Sequence, residues 1–196
     1  MADTFTGVLD STKLELGPAN VYLSSVLSDS LSPPGTGDAT MEHLGYMGDD
    51  MQIAVSAEAI PLTGAQAGTT PLSKVISGGT FKVTLPFKEI TLANFARAFP
   101  NALRFTTGGD KVEFRIRTGL NMRTNARKMI IKKVIGGIES TLTSDIFVIP
   151  FVAPVEAEVI IPFSPTEQRV IAATFEAWPD GNNNNRWAFV GDSAAS

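Results

Sequence analysis

Cysteine is absent from the 196 residues, which removes disulfides, thiolate nucleophiles and Cys-based zinc sites together. Histidine is nearly absent: His43 stands alone, so neither a two-histidine zinc site nor a Ser-His-Asp arrangement has its parts. His43 is expected in a turn or on the surface. Charge is sparse as well, with Asp, Glu, Lys and Arg making 18% of the chain, against about 25% in average soluble domains. No window holds the roughly 18 apolar residues that cross a bilayer as a helix. Met1-Ala2-Asp3-Thr4 lacks the basic start and apolar run of a secretion signal. No membrane insertion is expected, and a chain without cysteine suits a reducing cytoplasm while tolerating any compartment.

Chemistry is equally hard to find. Gly78-Gly79, Gly108-Gly109 and Gly136-Gly137 match neither a phosphate-cradling loop with Lys and Ser/Thr nor a GxGxxG, and read as β-turns. Asp49 and Asp50 point to opposite faces if extended. Glu156 and Glu158 share a face, which a solvated or subunit-facing strand explains. No catalytic, metal-binding or cofactor-binding residue is therefore assigned. The expectation is a structural protein, without a cofactor, rather than an enzyme.

What the sequence does hold is 43% apolar residues, enough for a core, together with Gly, Pro, Thr and Ser that favour strands and turns. Residues 1–12 read as an N-terminal arm and 13–196 as one domain. Gly17-Pro18-Ala19-Asn20 reads as a turn and Ser28 to Thr40 as a loop. Met51, Ile53, Val55, Ala57 and Ala59 alternate with mostly polar neighbours, as do Phe81, Val83, Leu85 and Phe87. Pro86 has no amide to donate and predicts a local edge or bulge. Between these strands Pro61 to Gly79 reads as a long loop, well beyond the two to five residues or so of ordinary hairpins.

One helix is predicted. Thr91 suits its N-cap, Leu92, Phe95, Ala96 and Phe99 follow a helical face, and Pro100 ends it. Strands resume at Val112–Ile116, Lys128–Ile135, Ile146–Val152 and Val155–Phe163. Val170–Trp178 and Arg186–Val190 read as a final antiparallel pair across the Asp180-Gly181 turn. Ile146–Val152 is nearly all apolar and is expected to be covered on both faces. The fold class expected is mostly β: a β-sandwich or barrel with one flanking α-helix and a long inter-strand loop.

Charge is unevenly spread. Arg104 to Lys133 holds nine Lys or Arg against two acids, and the remainder holds seven against eighteen, splitting the net −4 into +7 and −11. Solvated strand faces explain this simply. A basic surface meeting an acidic one on another subunit is the sharper reading. Nucleic-acid binding comes third, since the whole is acidic and the segment lacks interleaved aromatics.

The order of Leu14-Glu15-Leu16-Gly17-Pro18-Ala19-Asn20-Val21-Tyr22, then Leu44-Gly45-Tyr46-Met47-Gly48-Asp49 before the Met51–Ala59 strand, resembles the tail tube proteins (major tail proteins) of long-tailed bacteriophages. The Gly68-Thr69-Thr70-Pro71 loop, the Phe81–Phe87 strand and the single helix continue the resemblance, which is architectural beyond that point. It implies a virion structural protein whose hexameric rings stack into a hollow tube for DNA passage. Its implied partners are further copies of itself, the tape measure protein and a tail terminator, with DNA only as transiting cargo. It further implies localisation in the virion tail after assembly in the host cytoplasm. Another ring component of a phage tail or related injection machine (a terminator, completion or baseplate ring) is the alternative, and a ligand-binding β-sandwich comes after it.

The loop residues Gly64, Gly68, Thr69, Thr70, Pro71 and Lys74 are expected to reach between rings. Arg115, Arg117, Arg127, Lys128 and Lys132 are expected to form a basic subunit-contact face. A DNA conduit with a strongly basic lining would hold its cargo, so an acidic or neutral lumen is expected.

Overall fold

A computed structural model describes residues 18–25, 41–45, 47, 51–63, 71–116, 118–155, 170–181 and 184–191. The arm over 1–12, the Glu156 and Glu158 pair, and Tyr46 lie outside these. The order of elements is β1 (Ala19–Ser24), β2 (Met41–His43), β3 (Gln52–Thr63), β4 (Pro71–Phe87), α1 (Leu92–Ala98), β5 (Ala102–Phe105) and β6 (Lys111–Phe114). Then follow β7 (Arg127–Ile135), β8 (Ile138–Glu139), β9 (Ile146–Pro154), β10 (Ile171–Ala177) and β11 (Phe189–Val190). The mostly-β expectation with one α-helix therefore holds among the described residues.

The main sheet runs β2-β1-β7-β9-β10-β4-β3, every neighbour antiparallel, with β8 on β7 and β11 on β9. Its two ends do not pair to close a barrel, yet they lie close together. Met47 makes a bridge to Phe87 of β4, only four residues after His43 in β2. Four residues reach at most about 14 Å, while the five strand spacings from β2 to β4 would in a flat sheet amount to about 24 Å. The sheet must therefore curl on itself.

Alternation puts one face of every strand inside that curl. Val21 and Leu23 of β1, Phe81, Val83, Leu85 and Phe87 of β4, Met129 and Ile131 of β7, and Ile171, Ala173, Phe175 and Ala177 of β10 form one core. Large and small side chains face each other across the ladder: Phe87 beside Ile171, Leu85 beside Ala173, Val83 beside Phe175. β9 is buried on both faces at most positions, as its apolar run predicts. Pro86 lies where β10 still pairs but β3 has run out, so its missing amide costs no ladder bond.

Four expectations need correction. Ala19 and Asn20 belong to β1 rather than to a turn. The loop over Pro61–Gly79 is mostly paired strand, since β3 and β4 register from Gln52 opposite Thr84 out to Thr63 opposite Pro71. A ladder needs only backbone groups, so a Gly-, Ser- and Thr-rich stretch pairs without advertising a core pattern. Ser77 is an extra residue where the register shifts beside Glu58, a β-bulge. β11 pairs with β9, not β10; only the Asp180–Arg186 bridge spans the turn, with Asn184 and Asn185 in left-handed conformation.

The helix is the fourth. Thr91 caps it, accepting from the Asn94 amide at 3.1 Å. Its buried residues, however, are Asn94 and Ala98, while Leu92 is exposed and Phe95 and Phe99 are half-buried. A polar residue takes the innermost place because its amide nitrogen donates to the carbonyls of Leu44 at 2.9 Å and Glu89 at 2.8 Å, fastening the helix to the chain leaving β2. Phe99 stacks on Phe95 and meets Phe114 edge-on, which docks the β5–β6 hairpin against the helix.

A polar cluster fastens β8 to β1. Glu139 accepts from the Tyr22 hydroxyl, from Asn20 Nδ2 at 2.7 Å, and faces Lys132 Nζ at 3.6 Å. Burial pushes the Glu139 carboxyl up, but those two hydrogen bonds and the Lys132 charge together outweigh it and leave it below its ordinary range. Tyr22 is pushed up to about 12 by burial first, then by its bond to Glu139 and that carboxylate's charge. Its neutral form is thus favoured by folding, a contribution complete below the ordinary tyrosine value of 10.0 and lost as pH rises from there to about 12.

Three outcomes follow from these contacts. Asn94→Ala leaves the buried Leu44 carbonyl and the part-buried Glu89 carbonyl without this donor and costs about 2 kcal/mol in urea unfolding, with the β-type circular dichroism spectrum retained. In Gly79→Ala the new methyl would sit 2.5 Å from the Ser56 carbonyl oxygen and 2.6 Å from the Trp187 ring; tryptophan emission shifts to the red as Trp187 is displaced. In a spectrophotometric titration of Glu139→Gln the high-pH tyrosine transition moves part of the way back toward 10.0, since burial, the larger cause, is untouched.

Candidate assembly interface

Past the bulge the β3–β4 pair leaves the sheet as a two-stranded ribbon. Every described side chain from Ala54 to Leu62 and from Ser73 to Ser77 is exposed. Cross-strand partners share a face, so Ser56, Glu58, Ile60 and Leu62 lie on one side with Thr80, Gly78, Val75 and Ser73. Ser56 and Thr80 confirm the pairing by a 2.7 Å hydroxyl bond. That side carries Ile60 at 57%, Leu62 at 49% and Val75 at 49% exposure around one carboxylate, Glu58. The other side holds Val55 and Ile76, also exposed, and Trp187 packs at its base over Gly79. A two-stranded ribbon is marginal in water by itself, and this one has apolar side chains on both faces.

The sheet also ends in open edges. Among the described residues β3 pairs only with β4 and β2 only with β1, so each has one unpaired side. Twelve residues of free edge on β3 are long for a protein that works alone.

A cleft of about 430 Å³ opens between α1, β5 and the β1–β7–β9–β10 wall. Phe99, Leu103, Leu120, Met122 and Phe175 give it apolar side chains, and beside them Arg97, Arg104 and Arg127 bring three guanidiniums to it. Arg97 pairs with Glu42 and donates to Asn94 Oδ1 at 3.4 Å. Arg104 is held bidentate by Asp110, both contacts 2.8 Å. Arg127 donates to the carbonyls of Ser24, at 3.0 Å, and Ser25; among the described residues no carboxylate pairs with it. Burial lowers the basicity of Arg97 first, and the charges of Arg127 and Arg104 lower it further. Burial alone does so for Arg127. Glu42 and Asp110 pair with two of the three arginines, which leaves the cleft with one positive charge that no acid among the described residues neutralises.

The residues singled out from sequence are scattered by the fold. Gly64, Gly68, Thr69, Thr70 and Arg117 lie outside the described residues. Pro71 opens β4, and Lys74 is exposed on the ribbon opposite Pro61. Arg115 sits beside the β5–β6 hairpin with Glu113, which also holds Lys111 at 2.6 Å. Lys128 is buried, Lys132 lies over the Tyr22 ring beside Glu139, and Arg127 faces the cleft. The described four therefore form no single basic face. Arg115 follows β6 of the separate two-stranded sheet, and successive β7 residues point to opposite sides. The arginine cleft and the apolar ribbon were missed, the first because its members are far apart in sequence. The second had a signal in Ile60, Leu62, Val75 and Ile76.

Among the described residues no cluster of three or more His, Cys, Asp or Glu is placed to hold a metal ion, and no helix is long and apolar enough to cross a membrane. No family model matches the chain, and no curated protein does. Among solved structures it is similar to one described as "Crystal structure of Hcp protein", at 10% identity over 88% of this chain and 98% of that one. The TM-score of that match is 0.28, too low for it to carry an argument.

Proposed function

We propose that this chain is a structural subunit that assembles with copies of itself into rings, as a component of a phage tail or a related injection machine. The observation that carries self-assembly is the β3–β4 ribbon: exposed apolar side chains on both faces of a pair of strands that the monomer leaves uncovered. Such a surface is stabilised by a partner, and a second copy is always available at the concentration of the first. The long free edge of β3 offers backbone donors and acceptors to the same neighbour. The placement in a tail rests on the sequence resemblance to tail tube proteins.

The finer reading is the tail tube subunit itself, whose hexameric rings stack without limit around a tape measure protein, meet a terminator, and later conduct DNA. A terminator, completion or baseplate ring would form rings that do not stack. On the tail tube reading the protein's place is the virion tail, and on either reading its working contacts are with protein.

Negative-stain microscopy with size-exclusion chromatography tests this. Purified protein gives rings or hollow tubes, tubes selecting the finer reading and single rings the alternative. Ile60→Asp with Val75→Asp, both on the exposed ribbon, gives a folded monomer. A wild-type protein that stays monomeric at every concentration and salt overturns the proposal.

A further inference from the structure

The arginine cleft and the ribbon are complementary in more than charge. Phe99, Leu103, Leu120 and Met122 line the cleft beside Arg97 and Arg127, and Arg127 has no carboxylate among the described residues. The ribbon side bearing Ser56, Glu58, Ile60 and Leu62 offers one acid set among apolar side chains. Glu58 has its carboxylate beside Gly78, where no side chain stands between it and a partner. The two surfaces lie on different parts of the fold: the ribbon beyond the end of the sheet, the cleft between α1 and the interior strands.

We infer that the cleft receives the β3–β4 ribbon of a second copy, with the Glu58 carboxylate taken by Arg127 and Arg97 and the Ile60 side chain seated against Leu103 and Phe99. This rests on the self-assembly reading and gives it a direction. Ribbon and cleft are different surfaces, so the contact is head-to-tail and leaves one of each free on the resulting dimer. Such a contact propagates until it closes a ring or continues as a filament. Guanidinium is suited to the task, because a half-buried carboxylate accepts its forked donors while the apolar flanks exclude water. A phosphate would satisfy the arginines but leave Phe99 and Leu103 without a partner, which favours a peptide ligand.

The absence of cysteine makes the contact directly testable. Full-length Glu58→Cys protein is mixed with full-length Leu103→Cys protein under mild oxidation, and disulfides are mapped by mass spectrometry. The expected product joins position 58 of one chain to position 103 of another. In parallel, Glu58→Arg and Arg127→Glu each weaken association about tenfold or more, and the two changes in one chain restore it. Circular dichroism checks that Arg127→Glu folds; Glu58→Arg, on the exposed ribbon, is read regardless. No 58–103 product in the mixture, or Glu58→Arg associating as the wild type does, overturns the inference. Rings without the crosslink refute this contact and leave the self-assembly reading standing. The crosslink without rings supports this contact and removes the ring reading.

Discussion

The rest of the structure depends on one sheet curling until its two ends are within four residues' reach of each other. Curling gives a sheet an inside, and the inside is filled by alternate residues of β1, β4, β7 and β10. Phe87, Phe175, Leu85 and Ile171 are almost wholly buried there, each contributing about 1.5–3 kcal/mol from apolar area removed from water. The ends do not join in a ladder. Leu44 and the helix α1 pack at the core instead, and Asn94 supplies the hydrogen bonds that the chain leaving β2 would otherwise lack.

Where the core stops, the character of the strands changes. β4 is buried at alternate positions from Phe81 to Phe87, yet the same strand is exposed from Ser73 to Ser77. The bulge at Ser77 stands at that change, and a bulge bends and twists a ribbon. Gly79 at the base lets Trp187 lie flat against the backbone. The outer ribbon keeps its apolar side chains without a core to put them in. That combination is expensive for a monomer and useful to an oligomer.

Charge follows a similar division. On the β5–β6 hairpin two acids, Asp110 and Glu113, hold Arg104, Lys111 and Arg115 in exposed pairs, which contribute little to stability. Lys132 is held beside Glu139. Arg127 of the same basic run and Arg97 of the helix are half-buried at the cleft. Members of one basic run in sequence thus end in different surroundings.

Period-two alternation was legible by itself. It located β3 and the inner half of β4, a nearly continuous apolar run located β9, and Thr91 and Pro100 bracketed the helix, because side-chain direction in a strand and capping at a helix end are set within a few residues. The absence of cysteine and of a second histidine settled which chemistries lacked their parts. Pairing was not legible. That β11 joins β9 rather than β10, and that Pro71–Gly79 is strand rather than loop, are decided by backbone hydrogen bonds, which any residue but proline can donate. Nor could sequence show that Asn94 is inside and Leu92 outside, since the carbonyls it satisfies are fifty and five residues away. The assembly surfaces divide the same way. Ile60, Leu62, Val75 and Ile76 were visible as apolar residues, but only the place where the curled sheet ends decided that they face solvent. Arg97, Arg104 and Arg127 meet only because the helix, the hairpin and β7 pack around one cleft.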